Sequence, residues 1–219
     1  MRAYFYLIKQ NWQSAWSGKK FKYILFLGII SLVSVVVFTY FFFDYVQNRT
    51  GGVVMNDWVL KMIPAKDVSI PIVFFEASVI ILFLIRCISN PTMFITFLIA
   101  YVFILISRNI TIDITQLRVP TGSIDFKDPI AGVIYRSKLI DRDLFYSGHV
   151  SLLFLFYLCS SSKADKYYIL FAMISVSILL LVQHIHYTVD VVCAPFFAYG
   201  CFWLAKKLIH FSPKVVAAM

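Results

Sequence analysis

The chain reads as an all-α membrane protein with six transmembrane helices and both termini on the cytoplasmic side. Three observations lead there. Of 219 residues, 61% are hydrophobic and only 14% charged, with a mean hydropathy of +0.82, too apolar a composition for a fold that meets water on all sides. The apolar residues gather in six runs, at about 23–43, 70–87, 91–107, 148–161, 167–183 and 187–205. Basic residues then cluster at alternate ends of those runs, as membrane insertion requires.

The segment 1–22 mixes Tyr, Phe, Trp and Lys and is read as a cytoplasmic stretch lying along the inner membrane surface. The first run is long, begins late and ends in Phe41, Phe42, Phe43 and Asp44 with no small-residue cleavage site, so it is expected to stay attached as a span. A hydrocarbon core of about 30 Å needs about 20 helical residues, so the third, fourth and fifth runs must borrow flanking residues. Arg2, Lys9, Lys19, Lys20 and Lys22 precede the first span and set its start as cytoplasmic. Six crossings put Arg86, Lys163, Lys166 and the tail 206–219 on that same side, and nearly all aspartates on the other. The stretch 108–147 becomes a long outer loop. With no Gly/Ser-rich or Pro-rich linker, residues 1–219 form a single transmembrane domain.

Several function classes lose support at this point. The net charge of +9 is what basic flanks of apolar spans produce, and no nucleic-acid partner is called for. Cys87, Cys159, Cys193 and Cys201 have neither metal-type nor secreted-scaffold spacing and read as reduced packing residues. No internal repeat points to a repeat-built transporter.

Chemistry-bearing residues concentrate at the outer ends of the later spans. Ser147-Gly148-His149 leads into the fourth run, with Ser147 at a helix N-cap and His149 in the first turn. Exposed N–H groups and the helix dipole favour an anion there, although Ser-Gly before a helix is also ordinary capping chemistry. His186 and Asp190, four apart at the head of the last run, share a helix face. A carboxylate on one imidazole nitrogen makes the other a better nucleophile or base; the plainer reading is a structural pair in interfacial water. Six crossings bring His149, His186 and Asp190 to one face, a set suited to phosphate chemistry. Zinc on His149, His184 and His186 is disfavoured, because His-x-His on a helix points two rings apart and no cysteine is near. Glu76 falls near the outer end of the second run and needs a partner; it either pairs with Arg108 and orients that guanidinium, or is a protonated carboxyl bonded to a carbonyl or hydroxyl.

At these residues the sequence resembles the sphingomyelin synthase-like branch of the type 2 phosphatidic acid phosphatase superfamily. Asp143-x-x-x-Ser147-Gly148-His149 is similar to the family's Asp-x-x-x-Ser-Gly-His, and His186-Tyr187-Thr188-Val189-Asp190-Val191 to its His-Tyr-Thr-Val/Ile-Asp-Val. Arg108-x-Ile110-Thr111 and Thr115-x-Leu117-x-Val119-Pro120 resemble the stretch after its third span. The resemblance implies a site on the exoplasmic face and two-step transfer: His186, assisted by Asp190, attacks phosphorus, and His149 acts as acid and then base. It implies no metal or other cofactor. The donor would be a membrane glycerophospholipid and the acceptor a ceramide-like lipid alcohol, or water in a phosphatase relative.

The candidate substrate contacts are Arg108, Asp143, Tyr146, Ser147, Gly148 and Glu76, with Arg108 as the phosphate clamp and Arg118, Arg136 and Arg142 behind it. Tyr146 and Tyr187 either line the headgroup pocket or anchor the chain at the interface. The sequence departs from the family pattern at Arg118, where proline is usual, and at Ile185, where an acidic residue commonly stands. It also lacks the Lys-x6-Arg-Pro motif of the ordinary phosphatases of the superfamily. A different class remains, a channel or transporter using Asp190 and Glu76 for ion passage. Oligomeric state has no sequence signature here.

Overall fold

The computed structural model describes residues 2–126 and 142–210. Seven α-helices carry the described chain: α1 (Arg2–Ser17), α2 (Lys19–Asn48), α3 (Ser69–Ser89), α4 (Pro91–Thr115), α5 (Gly148–Cys159), α6 (Lys163–Val182) and α7 (Thr188–His210). Each break has a local cause. Gly18 leaves helical geometry between α1 and α2. Asn90 ends α3 and caps α4 through a bond from Met93 N–H at 3.0 Å, with Pro91 in the first turn, where a missing N–H costs nothing. Ser147 and Ser162 cap α5 and α6 in the same way.

Five helices, α2, α3, α4, α6 and α7, are long and apolar enough to cross a membrane, making this a multi-pass all-α membrane protein. Their outward faces are apolar, with Phe26, Ile30, Val33, Phe41, Leu84 and Phe196 all exposed, the inverse of a water-soluble surface and what contact with lipid tails demands.

The fourth apolar run behaves differently from expectation. It borrows no flanking residues: α5 is 12 residues long, about 18 Å at 1.5 Å per residue, well short of the hydrocarbon thickness. It need not match the bilayer, because it lies inside the bundle against α4, α6 and α7. Leu153 and Phe156 join one core with α3 and α6, while Leu155 joins a second with α2, α4 and α7. Ala194, Ala198 and Ala205 are fully buried on α7 and let it pack closely on α4.

Two further boundaries are corrected. Residues 108–115, assigned to the outer loop, continue α4 to Thr115. The apolar run stops at 107 because Arg108, Asn109, Thr111 and Asp113 are polar, but each has a partner: Asn109 donates to Thr39 Oγ1 at 2.8 Å and Asp113 accepts from Arg49 at 3.1 Å. Residues 206–210, assigned to the tail, extend α7. Within the stretch 1–22, residues 2–17 form α1 and residues 19–22 the first turn of α2, and α1 packs on the end of the bundle where α3 turns into α4.

Candidate active site

The starts of α3, α5 and α7 and the late turns of α4 meet at one end of the bundle, which is where the sequence-derived site residues fall. Ser147 N–H donates to the Asp190 carbonyl at 3.1 Å, so the heads of α5 and α7 are joined backbone to backbone. His149 in the first turn of α5 and His186 just ahead of α7 then lie with ring centroids 6.2 Å apart at 72°. His184, two residues earlier, is turned away: its Nε2 meets the Ile63 carbonyl at 2.8 Å, so it belongs to the loop scaffold.

Each of the two histidines has its Nδ1 held by a carboxylate. His186 Nδ1 lies 3.3 Å from Asp190 Oδ2, and Asp190 is completely buried. The pair does not share a helix face as expected, since α7 starts only at Thr188. Asp190 instead folds back as an N-terminal cap, its Oδ2 accepting from Tyr187 N–H at 3.0 Å, and so reaches His186 outside the helix. Its Oδ1 is buried with no partner among the described residues.

His149 Nδ1 lies 2.6 Å from Glu76 Oε1. Neither partner expected for Glu76, the Arg108 guanidinium or a carbonyl or hydroxyl, is the one found; Glu76 sits two turns into α3, on the face turned to α5, and reaches the histidine. The Phe126 ring stands edge-on to His149 at 5.4 Å. Arg108 is satisfied elsewhere, by Nη2 on Asp143 Oδ1. Its guanidinium lies directly over Gly148: a Cβ there would come within 2.7 Å of Cζ. Gly148 thus admits the arginine, where the sequence suggested it admits ligand. Arg108 Nε is buried without a partner among the described residues.

Two candidate contacts move inward. Tyr146 is fully buried, stacked on Phe197 at 4.4 Å, with its hydroxyl 2.7 Å from Ser107 Oγ. It is a core residue beneath the site and lines no headgroup pocket. Ser147 is also fully buried, and its hydroxyl accepts from Val150 N–H at 3.5 Å as the helix cap. Tyr187 is buried as well and bridges two loops, donating to the Arg118 carbonyl at 2.8 Å and accepting from Met55 N–H at 3.0 Å. Arg118 is exposed on that roof; Arg142 is half-buried beside Asp143; Arg136 lies outside the described residues.

Sequence reasoning missed the residues that hold the roof. Tyr187 offers no short side-chain acceptor at the head of α7, and Asp57, from the loop between α2 and α3, supplies one: it accepts from Thr188 N–H at 2.7 Å and Thr188 Oγ1 at 3.1 Å. Burial pushes the Asp57 carboxyl up, but the bonds from Thr188, Leu60 and Val59 outweigh it and hold the group below its ordinary value. Gln183 donates to Ser69 Oγ at 2.9 Å and accepts from Val68 N–H at 3.3 Å, tying the ends of α6 and α3. No local pattern marks Asp57, because its partner is 131 residues away; a Gln at the end of an apolar run was the visible trace of the other.

The set can present two imidazoles to one phosphorus, each held in a single tautomer, beside an arginine. Comparison with curated proteins and with solved structures gives no match. Residues 142–207 match the family model described as PAP2 superfamily C-terminal. That segment holds His149, His186 and Asp190, and the match supports the type 2 phosphatidic acid phosphatase superfamily, whose members are phosphatases or phosphotransferases.

Proposed function

We propose that this protein is an integral membrane lipid phosphotransferase that moves a phospho-headgroup from a glycerophospholipid to a ceramide-like or other lipid alcohol through a phosphohistidine at His186. The observation that carries the reading is the doubled histidine–carboxylate arrangement: His186 on Asp190 and His149 on Glu76, with the rings 6.2 Å apart.

Asp190 keeps the proton on His186 Nδ1, so Nε2 carries the lone pair that attacks phosphorus. As the P–N bond forms, the P–O bond to the donor breaks, and His149 gives its Nε2 proton to the departing oxygen. Glu76 stabilises the imidazolium that has that proton to give. In the second half, neutral His149 takes the proton of the acceptor hydroxyl, whose oxygen attacks phosphorus and releases His186. Arg108, aimed by Asp143, neutralises charge on the non-bridging oxygens.

The transferase reading rests on the His-Tyr-Thr-Val-Asp-Val stretch at 186–191, which resembles the sphingomyelin synthase-like branch. The runner-up is a lipid phosphate phosphatase with water as acceptor, using the same site. The Lys/Arg distribution supports cytoplasmic termini, six crossings with α5 counted, and a site on the exoplasmic face.

Product analysis tests the proposal. Purified protein in liposomes receives a ceramide, a diacylglycerol and lipid phosphates together with candidate phospholipid donors. A new phospholipid that disappears in His186→Ala is the expected result. Release of phosphate alone replaces the transferase with the phosphatase, and turnover of no lipid removes both.

A further inference from the structure

The end of the bundle opposite the site carries a second feature that the transfer chemistry does not use. The last carbonyls of α3 have no acceptor role within their own helix, and α1 takes them up: Asn11 Nδ2 donates to Ser89 O at 3.0 Å and Trp12 Nε1 to Ile88 O at 2.7 Å. Trp12 also packs on Phe21 and Phe94 at 6.4 and 6.1 Å. These contacts fix α1 against the bundle in one orientation. Lys9, Trp12, Gln13, Trp16 and Ser17 share one face of α1 and form an open, largely apolar surface. Trp16 remains 51% exposed, with the Lys22 ammonium 6.0 Å from its ring.

Charge at this end is one-sided. Lys19, Lys20 and Lys22 follow in the first turn of α2, and Lys206 and Lys207 close α7. Among the described residues the only carboxylate here is Asp165, which Arg86 already holds at 2.7 Å. This face lies level with the end of α3, where Asn11 and Trp12 reach the Ser89 and Ile88 carbonyls. Indole rings prefer that depth, and a lysine beside them places a cation at the height of lipid phosphate.

We propose that the α1 face formed by Lys9, Trp12 and Trp16 seats one anionic phospholipid, with the phosphate at Lys9 and the glycerol and upper acyl carbons along the two indoles. Charge complementarity selects the occupant: a zwitterionic headgroup would bring a further cation onto a face that already carries Lys9 and, at the Trp16 ring, the Lys22 ammonium. The site stands apart from the histidines, and its test does not depend on turnover.

Native mass spectrometry of the full-length protein in mild detergent, titrated with phosphatidylglycerol or phosphatidylcholine, reads the first lipid retained. Each lysine near an anionic headgroup contributes about fivefold in affinity, so phosphatidylglycerol should bind at least about fivefold more tightly than phosphatidylcholine. Lys9→Ala with Trp16→Ala should abolish that preference, while Lys206→Ala with Lys207→Ala should keep it. Lys9→Glu alone, which removes no packing, should do the same as the double variant if the latter is poorly folded. Equal retention of the two lipids by the unaltered protein overturns the proposal, and so does an equal loss in the Lys206/Lys207 control, which would mean diffuse surface charge and no seat.

Discussion

Glu76 and His149 are 73 residues apart in the chain and meet at 2.6 Å between Oε1 and Nδ1. One sits in α3 and the other opens α5, so the contact exists only because the two helices pack side by side at the site end of the bundle. It gives the second histidine the same kind of support that Asp190 gives His186, and it turns a motif of three residues into two matched pairs.

Glu76→Gln keeps size and hydrogen bonding but removes the carboxylate charge set against His149 Nδ1. Proton transfer by a placed histidine contributes about 10²–10⁴-fold, and the variant should lose part of it, with kcat down about 10–100-fold and KM little changed. Steady-state kinetics on the lipid pair identified by product analysis checks this. Unchanged kcat would reduce Glu76 to packing.

Gly148→Ala should be far more damaging than a methyl group in a helix's first turn ordinarily is. The added Cβ would overlap the Arg108 guanidinium, forcing it off the position set by Asp143. The expected outcome is a loss of about 10²-fold or more in kcat/KM, of the size seen when one charge-stabilising donor is removed, with the protein still eluting as a folded species. Arg108→Lys, which keeps the charge but not the planar fork, should fall in the same direction by a smaller factor.

The local half of this site was legible in the sequence and the long-range half was not. Ser147-Gly148-His149 and His186 with Asp190 are short patterns at helix starts; the two imidazoles lie 6.2 Å apart, and Asp190 reaches His186 as a cap ahead of α7 and not across a shared helix face. The choice of Glu76 between Arg108 and His149 depends on the rotation of α3 against its neighbours, which hydropathy does not encode. Arg108, Asn109 and Asp113 resemble the beginning of a loop because polar residues are usually exposed; inside a bundle, Asp143, Thr39 and Arg49 complete them. Tyr146 failed for the converse reason: its place in the motif suggested ligand contact, whereas its hydroxyl had a partner in Ser107 and its ring a partner in Phe197.

Asp57 gives a pH prediction with a defined sign. Its hydrogen bonds keep the folded-state carboxyl below the ordinary value of about 4. A depressed pKa adds stability that is present above the unfolded value and is lost as pH falls through the lowered folded value. The thermal midpoint of the protein in detergent should therefore exceed that of Asp57→Ala at neutral pH, and the gap should narrow below about pH 4. Because the carboxylate caps α7 two residues from His186, the same variant should also lose kcat. A gap independent of pH would contradict the capping account.

His186→Ala should abolish turnover and His149→Ala should reduce it by about 10²–10⁴-fold, while His184→Ala, which loosens a loop outside the site, should affect thermal stability more than kcat.

The most direct test of the central claim is to look for the bond. Protein incubated with donor phospholipid in the absence of acceptor is quenched in alkali, where phosphohistidine survives, then digested and weighed. The account predicts a phospho-headgroup adduct on the peptide containing His186, absent in His186→Ala and discharged when a lipid alcohol is added. No adduct under conditions where the donor turns over, or an adduct that persists in His186→Ala, would contradict it.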